Sequence, residues 1–98
     1  MIILKTREEI EIMRESALSV SRTLGIVAKE IKPGVTTKYL DKIAEEYIRD
    51  NGGIPAFKGY GPKNNAFPAT LCMSLNSAVV HGIPTDIPLK EGDIISVD

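Results

Sequence analysis

Apolar residues recur at spacings of three and four through the first third of the chain, at Ile10, Met13, Ala17, Val20, Leu24, Val27 and Ile31. That period predicts one long amphipathic helix with its apolar stripe toward a core. Thr6 followed three residues later by Glu9 is a capping-box signature for its start. Lys32-Pro33-Gly34 predicts its end, because proline cannot continue a helix and glycine suits the turn that follows. A second stripe, Leu40, Ile43, Ala44, Tyr47 and Ile48, predicts a second helix, capped by Thr36 or Thr37 and terminated by Gly52-Gly53. The charged residues between the stripes read as solvated faces.

After Gly53 the texture changes: proline, glycine and β-branched residues arrive, and apolar runs shorten to strand length. Strands are predicted over 54–57, 71–75, 78–82 and 94–97, with a polar loop at 58–66, a turn at Asn76-Ser77 and a connection with two prolines over 83–93. The connections are too short for crossover helices, so the strands should pair antiparallel. The expected class is α+β, two amino-terminal helices packed on one face of an antiparallel sheet.

Composition narrows what this fold can do. At 98 residues, 43% hydrophobic and 26% charged, the chain sets at most one small domain. Twelve basic residues against thirteen acidic ones provide no basic field for nucleic acid. The single cysteine, Cys72, forms no internal disulfide and suits a reducing compartment. Charges from Lys5 onward break the apolar start at Met1–Leu4, and nothing approaches the ~20 apolar residues of a membrane span, so a cytoplasmic location is expected.

Candidate chemistry gathers at the end of the chain. Glu91-Gly92-Asp93 reads as a turn, and the apolar run after it closes on Asp98. A carboxylate buried at the inner end of such a strand would cost several kcal/mol without a cation, on the order set by charge desolvation. Asp98 is therefore a candidate metal ligand, against the plain reading of an exposed aspartate; no second histidine or carboxylate stands at ligand spacing from it. His81, the only histidine, follows Ala78-Val79-Val80 and precedes Gly82-Ile83-Pro84. Spacing alone leaves it open between a hydrogen-bonded structural residue and a functional one at a strand end. Cys72 reads as a small hydrophobe rather than a nucleophile paired with His81. Phe57, Tyr60 and Phe67 flank the polar loop, as pocket walls or as loop anchors. The glycine pairs lack the spacing of a phosphate cradle.

Together these segments resemble type I methionine aminopeptidase. The resemblance runs through Ile3–Ile10, Lys32-Pro33-Gly34-Val35-Thr36-Thr37, Pro55-Ala56-Phe57-Lys58-Gly59-Tyr60, Phe67-Pro68, Cys72–Asn76, Val80-His81-Gly82-Ile83-Pro84 and Leu89–Asp98. It implies that residues 1–98 are the amino-terminal half of the catalytic domain, an incomplete portion of the "pita-bread" creatinase/aminopeptidase fold. It implies removal of the initiator methionine from nascent proteins, a hydrolysis assisted by two divalent metal ions drawn from cobalt, manganese, iron or zinc. Asp98 resembles the first metal-ligating aspartate. His81 resembles the histidine that hydrogen-bonds the substrate and stabilises the transition state. Phe57, Tyr60, Phe67 and Cys72 resemble the residues around the methionine side chain, where aromatic faces and a thiol suit a polarisable thioether. The implied partners are nascent polypeptides with an amino-terminal methionine, with the ribosome as a meeting place; no membrane and no specific nucleic acid is implied.

The chain departs from the family pattern in two respects. A second aspartate, a histidine and two glutamates complete the family's metal site, and none follows Asp98 here. Residues 61–66 also form a longer connection between Tyr60 and Phe67 than is usual. The 98 residues alone are therefore expected to be inactive, and half of a pseudo-symmetric fold is expected to expose apolar surface and self-associate. Two rivals share the fold: a non-catalytic module that binds polypeptides, and a prolidase-type peptidase, whose usual extra amino-terminal domain is missing from this sequence.

Overall fold

The computed structural model describes residues 1–98. Two helices, α1 (Arg7–Glu30) and α2 (Thr37–Asp50), precede two short strands, β1 (Met73–Leu75) and β2 (Ile95–Val97). Helix α1 opens on the expected capping box, in which the Thr6 hydroxyl accepts from Glu9 N–H and the Glu9 carboxylate accepts from Thr6 N–H. It stops at Glu30, two residues short of Lys32, because the residue before a proline is pushed out of the helical region. Of the two candidate caps for α2 it is Thr36 that caps, accepting from Tyr39 N–H.

The core lies where the carboxyl-terminal part of α1, the inner face of α2 and the sheet meet. Val27, Leu40, Ala44, Leu71, Met73 and Leu89 are buried together, with Leu75, Ile95 and Val97 packed against them. The strands pair antiparallel with Met73 opposite Val97, Ser74 opposite Ser96 and Leu75 opposite Ile95. Alternation then places Met73, Leu75, Ile95 and Val97 on the helix side and both serines on the other. The stripe of α1 meets the core less than its period suggested. Ile10, Met13, Val20 and Leu24 are all exposed, and only Val27 of the seven predicted positions is buried.

Two of the four predicted strands do not form. Residues 54–57 find no ladder partner, and Pro55 has no N–H to offer one. Residues 78–82 leave extended geometry because Asn76 turns the chain with φ of 51° and His81 takes φ of 58°. The other two are shorter than predicted. Leu71 N–H is taken by the Asp41 carboxylate, and Ile94 N–H by the Asn76 side chain. The 83–93 connection is tied down along its length. Thr85 N–H donates to the Thr37 hydroxyl at 2.7 Å, and Leu89 exchanges backbone hydrogen bonds with Gly34 and Val35.

Candidate functional site

Strand β1 carries a different neighbour on each edge. On one edge the ladder with β2 runs one residue further at its end: Cys72 and Asp98 exchange both backbone hydrogen bonds, at 2.8 and 3.0 Å. Directly opposed residues share a face, so Cys72, Ser74, Ser96 and Asp98 fall on the face that does not carry Met73, Leu75, Ile95 and Val97. Asp98 is exposed, so the desolvation cost expected for a buried carboxylate does not arise. Phe57, Thr70, Leu71 and Asp98 all line a cleft of about 350 Å³ that opens between α1 and the 53–57 segment. Thr70 brings the one buried side-chain oxygen without a hydrogen-bond partner.

On the other edge, residues 81–82 approach β1 as a single contact rather than a strand. Met73 N–H donates to Gly82 C=O at 2.8 Å, and Gly82 N–H donates to the Ser74 hydroxyl at 2.9 Å. The approach is so close that a Cβ on Gly82 would lie 2.2 Å from the Met73 carbonyl oxygen. His81, immediately before it, is exposed and left-handed, a conformation that costs a non-glycine residue roughly 1–2 kcal/mol. Strain of that kind concentrates where a side chain must be aimed. His81 and Asp98 thus flank the same short strand from opposite sides.

Cys72 is buried, and burial pushes its thiol up from the ordinary value, with the Asp98 and Asp41 carboxylates adding in the same direction. A nucleophilic cysteine needs the opposite shift, and burial of the thiol is in keeping with a small hydrophobe. Tyr60 and Phe67 meet as a closed hairpin, in which Gly59 N–H donates to Phe67 C=O and Phe67 N–H to Tyr60 C=O, both at 2.8 Å. The long 61–66 connection is therefore a compact turn. Lys58 anchors this hairpin to α2 through Glu45 at 2.7 Å, and Lys58 and Arg49 together hold the Glu45 carboxyl below the usual range. Phe57 and Asp98 line one cleft and Cys72 pairs with Asp98, whereas the Tyr60–Phe67 hairpin is tied to Phe57 through Tyr60 N–H to Phe57 C=O at 2.9 Å and makes no hydrogen bond to β1.

Sequence reasoning missed three residues that build the site. Asp41 on α2 accepts from Thr70 and Leu71 N–H at 3.3 and 2.6 Å, which fixes the segment entering β1. Ser74 and Gly82 hold the His81 turn. The available signals were an aspartate beside buried Leu40 and a lone serine between Met73 and Leu75. A divalent ion needs three or more protein donors, and no group of three His, Cys, Asp or Glu side chains comes together here. These residues by themselves do not fit a resident metal; what they offer is one accessible carboxylate. No helix is long and apolar enough to cross a membrane.

Comparison with known proteins covers the whole chain. The model of metallopeptidase family M24 matches residues 11–98. A methionine aminopeptidase of Clostridium perfringens is 48% identical and methionine aminopeptidase 1 of Bacillus subtilis 51% identical, each over 100% of this chain and 38% of its own length. The crystal structure of methionine aminopeptidase from Rickettsia prowazekii superposes with a TM-score of 0.92 at 37% identity, covering 100% of this chain and 38% of that one. The chain therefore spans well under half the length of the relatives it matches. Its helix pair and sheet have the architecture of the corresponding part of the pita-bread fold.

Proposed function

The chain belongs to metallopeptidase family M24, and from that premise we propose that residues 1–98 are the amino-terminal portion of a cytoplasmic methionine aminopeptidase domain. Its activity is removal of the initiator methionine from nascent polypeptides. The observation that carries the reading is the arrangement about β1: an accessible carboxylate, Asp98, pairs with one edge, and a left-handed histidine, His81, is held against the other. The identity of the curated relatives over the whole of this segment supports the same reading.

Each residue has a defined part in the proposal. Asp98 is one oxygen ligand for a two-metal centre whose other donors lie outside these residues. Asp98 could hold such an ion only together with donors from outside these residues, and the chemistry so supplied would be polarisation of the scissile carbonyl and a lowered pKa for water. His81 donates a hydrogen bond to the substrate where negative charge develops. Cys72, kept as a neutral thiol by burial, and Phe57, Tyr60 and Phe67 form the apolar surround for the methionine thioether. The divalent ion is one of cobalt, manganese, iron or zinc.

Methionine release from Met-Ala-Ser with added cobalt or manganese tests this. The 98 residues alone should show no turnover. Joined at Asp98 to the remaining length of the Bacillus subtilis relative, they should turn over, and His81→Ala or Asp98→Ala should abolish most of that rate. Turnover by the isolated chain, or none by the joined one, would overturn the assignment.

A further inference from the structure

The histidine turn is tied to β1 by two hydrogen bonds, and one of them is made by a side chain. The N–H of Gly82 belongs to the His81–Gly82 peptide group, and its acceptor is the Ser74 hydroxyl at 2.9 Å. With that peptide held against β1, ψ of His81 sets the direction of its Cα–Cβ bond, and so of the imidazole, relative to the strand. The remaining tie, Met73 N–H to Gly82 C=O, lies on the far side of the Gly82 Cα and leaves the peptide free to turn. Ser74 is 4% exposed, whereas Ser96, directly opposite it in the ladder, is exposed and makes no side-chain hydrogen bond. Nothing in strand pairing calls for a buried hydroxyl at position 74, since the backbone of Ser74 already pairs with Ser96.

We propose that Ser74 is a positioning residue: by accepting from the Gly82 N–H it fixes the His81–Gly82 peptide and thereby the direction in which His81 meets the substrate. The inference rests on the role given to His81 above. Gly82 is the other half of the device, because only a residue without Cβ comes close enough for the serine to reach. The hydroxyl can rotate while staying an acceptor, so threonine can replace serine chemically and alanine cannot.

The test uses the 98 residues joined to the remaining length of the Bacillus subtilis relative, loaded with cobalt and assayed on Met-Ala-Ser. Ser74→Ala should lower kcat about tenfold with KM little changed, the pattern of a contact felt only in the transition state. Ser74→Thr should restore most of that loss. The double variant Ser74→Ala/His81→Ala should match His81→Ala alone, since a residue acting through His81 has nothing left to position. Exchange of the Gly82 amide should quicken about five- to tenfold in Ser74→Ala, as expected for loss of one hydrogen bond. Ser74→Cys, close in size and a weak acceptor, replaces Ser74→Ala if that variant does not fold. Parental kcat in Ser74→Ala, or additive losses in the double variant, would overturn the proposal. Unchanged kcat in His81→Ala instead removes the role of His81 itself, and the Gly82 exchange rate then decides whether Ser74 holds the peptide at all.

Discussion

The two edges of β1 are built on different principles. Toward β2 the strand has a regular antiparallel ladder, extended by the Cys72–Asp98 pair at one end and by Asn76 N–H to Ile94 C=O at the other. Those bonds are main chain to main chain, so many sequences can make them. Toward residues 81–82 it has one backbone bond, one serine hydroxyl and the missing Cβ of a glycine. The first edge supplies stability and carries a candidate ligand at its end. The second holds a strained histidine through one particular side chain and one glycine, so substitution there should alter aim before it alters folding.

The largest expected break removes what the edges share. Leu40 is fully buried in the cluster that supports β1 from below. Leu40→Ala should cost roughly 2–5 kcal/mol, the range for a fully buried leucine. Chemical denaturation measures it, and amide protection should fall on both edges together. Next comes Gly82→Ala, in which a methyl group must displace the Met73 carbonyl or move away from it. Overpacking of this sort costs roughly 1–3 kcal/mol. Here hydrogen exchange should separate the edges, with Gly82 and Met73 amides exposed and the Ser74–Ser96 ladder intact. Equal loosening of both edges would show a single cooperative unit and erase the distinction.

How much of this could be seen in the chain follows the same division. The helices announce themselves locally: Thr6 with Glu9, Thr36, and the stripe from Leu40 to Ile48 act within a turn or two of themselves. The partner of a strand is distant, so the chain predicted four strands where two form. Positions 78–80 have strand-like residues, yet Val79 is 83% exposed because φ at Asn76 and His81 turns the backbone out of the sheet. The upper stripe of α1 shows the limit of periodicity, which identifies a face and not what covers it. Candidate chemistry was legible as residue types, namely His81, Asp98, Cys72 and the aromatics. Their supports, Ser74, Gly82 and Asp41, were not, because each works across a separation of 8 or 30 residues.

A smaller test acts on the β2 edge alone. Asn76 is left-handed, accepts from Ile94 N–H through its side chain, and donates to Asp93. Asparagine is among the few residues that take this conformation readily. Asn76→Ala should therefore cost about 1–2 kcal/mol through the lost hydrogen bond and the added backbone strain. Asn76→Gly should cost less, since it restores the conformation without the bond. Thermal denaturation ranks the pair, and equal costs would mean that strain plays no part at this turn.

The mildest perturbation is protonation. Asp93 accepts from Lys90 N–H at 2.8 Å and from the Asn76 amide at 3.2 Å, and these bonds hold its carboxyl below the usual range. A carboxyl depressed on folding contributes stability that is present above its unfolded value, near 3.9 for aspartate, and is lost as pH falls through the lower folded value. Acid should thus loosen the Lys90–Ile94 turn and the adjoining end of the β2 ladder, by a small amount because Asp93 is partly exposed. The Ser74–Gly82 bond contains no carboxylate, so the histidine edge should not follow. Amide chemical shifts between pH 6 and pH 2 resolve the two, with Lys90 moving in the parent and staying still in Asp93→Asn. If the Gly82 amide moved in step with Lys90, the edges would be coupled through β1, and the histidine would be held by the whole ladder rather than by its serine.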